Sequence, residues 1–365
     1  MTSPERPVAV VTLVIGPKAD AVFSLSRPLM EAYAARIAAD FVVIDQPARS
    51  GRAAHVDKAQ LAGLLERYDR VIYLDCDVLV HPACPDLTEL VPAECFGAFL
   101  EGRVAPRDWA VAAIIERLGP VDWSGDYFNS GVMVLSRAHA GVFERLGRVY
   151  SGPMQGLHDQ NYLNWLVRDA GIPVQDIGPD FNHMNISGWP QEGVRILHFA
   201  HIGFRGTVSP EADIWSAKYH DMVDFLAAAQ ERPTWTFDAE RLEPMHGVVE
   251  RSPTAFSRMV CPARHGPVCR SIPFVLARGR YGLSCTVTAG GAAEGTLRLK
   301  VTNLPDTARI IERSRPLADW TVPVPFDILG PSATVQLDAF AEGAPVLLDH
   351  IRIERLRDAP WSFVP

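Results

Sequence analysis

Asp69-Arg-Val-Ile-Tyr-Leu-Asp75-Cys-Asp77-Val-Leu-Val80 is the stretch whose reading decides the fold. Its apolar run reads as a buried strand, and the strand ends in two carboxylates one residue apart. Open α/β sheets place their ligands at the carboxyl ends of their strands, so this segment delivers hard oxygen donors to the place where a metal-bound diphosphate would sit.

Working outward, short β-branched runs alternate with longer helical patterns as far as about Ala229. Strands are expected at Val8–Val14, Phe41–Ile44, Val71–Leu74, Phe96–Leu100, Val132–Leu135, Val174–Ile177 and Arg195–His198. Helices are expected at Asp57–Arg67, Arg107–Arg117, Arg137–Arg148, Asp159–Asp169 and Ile214–Ala229. That half is α/β. After a Pro- and Trp-containing stretch, residues 245–365 read as short alternating strands between Gly and Pro clusters, the pattern of an all-β sandwich. The expected domains are therefore 1–244 and 245–365. Charge divides at the same place, with 21 basic and 32 acidic residues before it and 14 and 11 after it.

Composition excludes several classes. The 365 residues are 48% apolar with net charge −8, which rules out disorder and offers no basic field to nucleic acid. No apolar run reaches the ~18 residues a membrane span needs. Val8–Ile15 lacks the flanks of an export signal, so a cytoplasmic protein with free thiols is expected, and no basic amphipathic anchor stands out. Cys261, His265 and Cys269, with His246 upstream, offer soft ligands without a paired C-x₂-C knuckle, and ordinary packing is the expectation there. Only four of the 35 basic residues are lysines, which singles out Lys58, 17 residues before Asp75.

Three further segments follow in order: Asp126-Tyr-Phe-Asn129-Ser130-Gly131-Val-Met-Val-Leu, His158-Asp159-Gln160-Asn161-Tyr-Leu-Asn164, and Ile196-Leu-His198-Phe-Ala-His201-Ile-Gly203. With Asp75 and Asp77 they resemble the family 8 glycosyltransferases, the retaining GT-A group that includes glycogenin and bacterial lipopolysaccharide galactosyl- and glucosyltransferases. The resemblance spans about residues 8–205. It implies a GT-A domain, a Mn²⁺ (or Mg²⁺) cofactor held by Asp75, Asp77 and His198, and a nucleotide-sugar donor, in the first place a UDP-hexose. It implies donor contacts from Thr12, Lys58, Asp75, Asn129, Ser130 and Gly131; at the last motif, where the match breaks, Gly203 and Arg205 are expected to substitute by a small local shift, or His201 to contribute a ligand or phosphate bond itself. Asp159 and Gln160 fall where the family faces the reacting anomeric carbon. Glutamine is a poor nucleophile, so front-side replacement is favoured if Gln160 faces that carbon, and Asp159 is the candidate for a covalent route. The acceptor that the resemblance implies is a glycan or glycolipid. Arginine abundance points to a GC-rich bacterium, and a polysaccharide-assembly setting adds the inner-membrane surface as a place of contact.

The last motif departs from the family's H-x-x-G-x-x-K-P-W: His201 stands where Gly is usual and Phe204 at the lysine position. That departure keeps open a non-catalytic glycan-binding scaffold. A haloacid-dehalogenase-type phosphatase also has a D-x-D strand end but expects Thr or Val where Leu79 stands. The C-terminal strands resemble carbohydrate-binding, jelly-roll-like modules, with Phe274-Val-Leu-Ala-Arg-Gly-Arg-Tyr281 as the opening strand. Tyr281 and Trp320 are expected in the core rather than on a glycan platform.

Overall fold

The structure, a computed structural model, describes residues 8–48, 54–123, 125–152, 159–188, 190, 193–204, 213–229, 234–252, 255–264, 266–289, 295–304 and 308–356. The chain divides into two compact units, Met1–Ala200 and His201–Pro365.

In the first unit the strands are β1 (Val8–Leu13), β2 (Asp40–Ile44), β3 (Arg70–Asp75), β4 (Val78–Val80), β5 (Phe96–Ala98), β6 (Val132–Ser136), β7 (Val174–Asp176) and β8 (Ile196–His198). Six of them make one mixed sheet in the order β2-β1-β3-β6-β5-β7. The β1–β2, β1–β3 and β5–β7 pairs are parallel; β6 runs antiparallel to both β3 and β5. The helices are α1 (Pro17–Arg36), α2 (Leu61–Arg67), α3 (Leu87–Leu90), α4 (Asp108–Leu118), α5 (Ala140–Val149) and α6 (Asp159–Asp169). Lys58 lies on a 3-10 turn, Ala54–Gln60, that leads into α2.

β3 occupies the middle of this sheet, and Val71 to Leu74 are fully buried on both faces. Burying such side chains contributes roughly 1.5–3 kcal/mol each, which is why the sequence here is a continuous apolar run rather than an alternating one. Tyr73 and Val71 pack with Leu61, Leu65, Met133 and Leu135 in one core. The strand is thereby held rigid to its last residue, where the carboxylates begin.

The topology gathers four chain segments at that end. The antiparallel register Leu74↔Val132 brings the lead-in to β6, residues 129–131, beside the end of β3, and the Asp75 amide donates to the Gly131 carbonyl at 2.7 Å. The small β4–β8 ladder places His198 opposite Val78, with the Phe199 amide donating to the Asp77 carbonyl. β5 runs toward the same end and continues into the turn Glu101–Arg103.

The second unit holds α7 (Ile214–Ala229) and the strands β9 (Thr234–Asp238), β10 (Leu242–Pro244), β11 (Val248–Glu250), β12 (Arg258–Cys261), β13 (Cys269–Ser271), β14 (Phe274–Ala289), β15 (Thr296–Leu304), β16 (Arg309–Pro316), β17 (Val324–Glu342) and β18 (Val346–Arg355). They form one antiparallel network. Where the pattern predicts short strands, β14 runs unbroken from Phe274 to Ala289: it pairs first with β17 and then with β18, and a register shift at Ala277/Gly279 bends it without ending it. β17 likewise passes from β14 to β15. Alternate residues such as Leu297, Leu299 and Val301, or Val335, Leu337 and Ala339, fill a single core. Tyr281 and Trp320 belong to it at 1% and 0% exposure, and the Trp320 indole donates to the Leu297 carbonyl.

The composition shift near 245 and the division at 200/201 differ because α7, which reads as part of the α/β pattern, and β9 and β10, which lie in the Pro- and Trp-containing stretch, fold with the second unit. β9 pairs with β18. Asp224 on α7 accepts from both the amide and the hydroxyl of Thr236, and Ser216 donates to Asp238. All six cysteines are free. A hydrogen bond with Cys261, together with burial, pushes the Cys269 thiol well up; His265 lies outside the described residues. Among the described residues no helix is long and apolar enough to cross a membrane.

Candidate active site and cation centre

Asp75 and Asp77 leave the end of β3 on opposite sides of Cys76, and His198 reaches them from β8. The His198 Nε2 atom lies 3.4 Å from Asp77 Oδ1 and 3.8 Å from Asp75 Oδ2. One donor atom from each residue falls within 4.8 Å of the other two, the only such group of three among the described residues. A cation with bonds near 2.1 Å places neighbouring ligands about 3 Å apart and opposite ones about 4.2 Å apart. The three side chains fit that requirement. Asp77 and His198 are buried, while the Asp75 side chain is 28% exposed and gives the cluster its open side.

Lys58 is only 2% exposed and sits among the neighbouring acceptors. Its Nζ lies 2.9 Å from Asp159 Oδ2, 3.3 Å from Asp75 Oδ1 and 3.1 Å from the Ser130 carbonyl, over the ring of Tyr73. Burial alone would depress the ammonium, but the Asp159 and Asp75 carboxylates outweigh it and hold the group above its ordinary value. The Tyr73 hydroxyl donates to Asp75 Oδ1 at 2.7 Å; burial and that carboxylate push the phenol well up, so it stays a donor.

Asp159 and Gln160 open α6 and point into the same cluster. Asp159 Oδ2 also accepts from the Ser130 hydroxyl at 3.2 Å. Gln160 is held on both ends of its amide: Oε1 accepts from Asn129 Nδ2 at 3.0 Å and from the Ser130 amide at 3.1 Å, and Nε2 donates to Glu101 Oε1 at 3.0 Å. Both lone pairs of that oxygen are thus engaged.

Gly131 has a specific steric duty. A Cβ added there would lie 2.1 Å from His198 Cε1 and within 3 Å of both ring nitrogens. The hydrogen at this position is what lets the imidazole lie against the β6 lead-in.

Of the residues the sequence marks, Lys58, Asp75, Asp77, Asn129, Ser130, Gly131, Asp159, Gln160 and His198 come together in one cluster. Thr12 is fully buried on β1, opposite Leu74 in the parallel register, and among the described residues its hydroxyl has no hydrogen-bond partner. Gly203 belongs to the second unit, where Asp221 Oδ2 would lie 2.5 Å from its Cβ and accepts from the Phe204 amide. Arg205 and His158 lie outside the described residues. Sequence reasoning missed Tyr73, Glu101, Arg107 and Asn182. Tyr73 could have been found as the polar tip two residues before Asp75 on a strand of period two; the other three carry no local signal.

Residues 43–184 match the family model described as Glycosyl transferase family 8. The chain carries a glycosyltransferase domain. The matched span contains β3 with its carboxylates, the 129–131 lead-in, α6 and Asn182, and the surrounding mixed sheet is GT-A-like. No curated protein matches the chain. Among solved structures, a glycosyltransferase involved in the glycosylation of the major capsid of PBCV-1 aligns at 15% identity and a TM-score of 0.41, over 60% of this chain and 99% of its own. The galactosyltransferase LgtC, in complex with donor and acceptor sugar analogues, aligns at 18% identity and a TM-score of 0.37, over 59% and 94%. The bifunctional glycosyltransferase WbbM aligns at 14% identity and a TM-score of 0.38, over 60% and 50%.

Proposed function

We propose that this protein is a divalent-cation-dependent retaining glycosyltransferase that moves a hexose from a nucleotide sugar, in the first place a UDP-hexose, to a hydroxyl of a glycan or glycolipid. The observation that carries the reading is the Asp75–Asp77–His198 triad at the end of β3, with Lys58, Asp159 and Gln160 packed beside it. Two carboxylates and one imidazole suit Mn²⁺, which accepts nitrogen more readily than Mg²⁺ does. Bound there, the cation would offset the negative charge that builds on a diphosphate as the glycosidic bond breaks.

The protein's own groups supply the rest. Lys58 offsets one of the two negative charges of Asp159 and Asp75 in the ground state and fixes both carboxylates. Asn129, committed to Glu101, Gln160, Gly131 and Asn182, and Ser130, tied to Gln160 and Asp159, hold the wall of the cluster rigid beside the sugar. Because the Gln160 carbonyl oxygen is committed to two donors, it is a strut and not a nucleophile. That favours front-side replacement, in which the acceptor oxygen attacks the anomeric carbon from the face the phosphate leaves, and the departing phosphate oxygen takes the acceptor's proton. Asp159 is the carboxylate available to a covalent route, and it would have to leave Lys58 and the Ser130 hydroxyl to reach that carbon.

Titration calorimetry with UDP-glucose, UDP-galactose, UDP-N-acetylglucosamine and GDP-mannose, each with Mn²⁺ and with EDTA, tests this reading. Mn²⁺-dependent binding of one donor, abolished in Asp75→Ala/Asp77→Ala while the fold is kept, is the expected result. Absence of binding to all four, or equal binding by the double variant, would overturn it and leave a glycan-binding scaffold as the better account.

A further inference from the structure

A chain of buried amides runs from Glu101 to the candidate cation ligand His198, and its polarity is fixed. Glu101 is 2% exposed and anchored by Arg107, whose Nε donates to Oε1 at 2.7 Å. A carboxylate only accepts, so the Asn129 group 3.0 Å from Glu101 Oε2 has to be its NH₂. The Asn129 carbonyl then faces the other way, where it accepts from the Gly131 amide at 2.8 Å and from Asn182 Nδ2 at 2.9 Å. Asn182 is fully buried, and with its NH₂ so committed its carbonyl oxygen lies 2.8 Å from His198 Nδ1. That oxygen accepts, so Nδ1 carries the proton. Every link donates toward Glu101, and the last one decides the tautomer of the imidazole.

We propose that Asn182 is a positioning residue that holds His198 in the Nδ1–H tautomer, so that the Nε2 lone pair faces Asp75 and Asp77 and is free for a cation. The inference rests on the reading of the triad as a cation site for its purpose, though not for its geometry. The alternative tautomer would point Nε2–H at Asp77 Oδ1, 3.4 Å away, and turn a ligand into a hydrogen-bond donor that closes the site. Hydrogen bonding at the remote ring nitrogen is the general way in which proteins orient a ligating histidine, and losing such a partner commonly costs about 10- to 100-fold in metal affinity.

The test compares Asn182→Leu, which keeps the volume and removes the acceptor, with Asn182→Asp, which keeps an acceptor at Nδ1. The neutral His198 tautomer is read from imidazole ¹⁵N shifts in the metal-free full-length protein, and Mn²⁺ affinity by calorimetry. The parent and Asn182→Asp should show Nδ1–H; Asn182→Leu should move to Nε2–H and lose about 10- to 100-fold in Mn²⁺ affinity. A parent ring protonated at Nε2, or an unchanged tautomer in Asn182→Leu, would overturn the proposal. Should Asn182→Leu fail to fold, the parent decides alone: a ring protonated at Nε2 overturns the proposal and one protonated at Nδ1 supports it. A parent that shows Nδ1–H, shifts as expected in Asn182→Leu and binds no Mn²⁺ would support the positioning role and defeat the cation reading, so the two failures are distinguishable.

Discussion

Replacing Gly131 by alanine isolates the steric logic of the site. Gly131 is not in the left-handed region, so its backbone accepts an alanine and the effect falls on the neighbour. The new methyl carbon would start 2.1 Å from His198 Cε1, where an ordinary carbon–carbon contact needs about 3.5 Å or more. The ring has to move by more than 1 Å, yet its backbone is fixed in the β4–β8 ladder and its Nδ1 by Asn182. Moving it breaks the 2.8 Å bond to Asn182 and carries Nε2 away from the carboxylates. Overpacking of this kind costs about 1–3 kcal/mol of stability. A displaced ligand should cost roughly 10- to 100-fold in Mn²⁺ affinity. The assay is a double-mutant cycle of Gly131→Ala and His198→Ala, followed by thermal unfolding and Mn²⁺ calorimetry. With the imidazole removed, the methyl group occupies vacated space, so the double variant should be more stable than the sum of the single changes by about 1 kcal/mol or more. Additive stabilities, or a Gly131→Ala protein that binds Mn²⁺ within twofold of the parent, would refute the argument. If Gly131 serves instead to let a donor sugar approach the backbone, Gly131→Ala should weaken donor binding with Mn²⁺ affinity unchanged, which the same calorimetry reports.

Lys58→Met should destabilise the fold by about 3 kcal/mol, because it takes the ammonium from the buried Asp159 carboxylate, and the partial exposure of Asp75 keeps the cost near the low end for a broken buried pair; a melting temperature equal to the parent's would refute this. Gln160→Ala should lower turnover more than donor affinity, since it frees Asn129 and strands the Ser130 amide without touching the cation ligands; a loss confined to KM would point to simple donor binding. Burial holds the His139 imidazole, which accepts from the Ser136 amide through Nδ1, down from 6.5 to about 4. Between those values the unfolded chain takes up a proton that the folded chain refuses, so this contribution is fully present above about pH 6.5 and fades as pH falls toward 4, by about 3 kcal/mol at ~1.4 kcal/mol per unit. His139→Gln should therefore lose less stability than the parent between about pH 7.5 and 5 in paired thermal scans, and an equal loss would count against the assignment.

What the sequence made legible was whatever a local pattern enforces. An uninterrupted apolar run can only be a strand covered on both sides, so β3 and the carboxylates at its end could be placed from Val71 to Asp77 alone, and the helix Asp159–Asp169 announced its limits through the aspartate that opens it and the arginine in its last turn. What stayed hidden depends on groups brought together from distant segments. Lys58 was noticed because lysine is rare here, yet nothing in its neighbourhood says that its partners would be Asp75 and Asp159. Gly131 reads as a sugar-approach glycine until His198, 67 residues later, is seen to fill the space its side chain would need. The same holds for the unit boundary: α7 follows the helical period of the first half, and only the pairing of β9 with β18, more than a hundred residues away, assigns it to the second. Asn182 shows the limit most clearly. An asparagine in an irregular segment has no periodicity to report, and its meaning comes from a direction of donation that begins at Glu101, passes through Asn129 and ends at a ring nitrogen. Motifs therefore locate the donors of this site, while the polarity that would make His198 a ligand is set by residues that no motif contains.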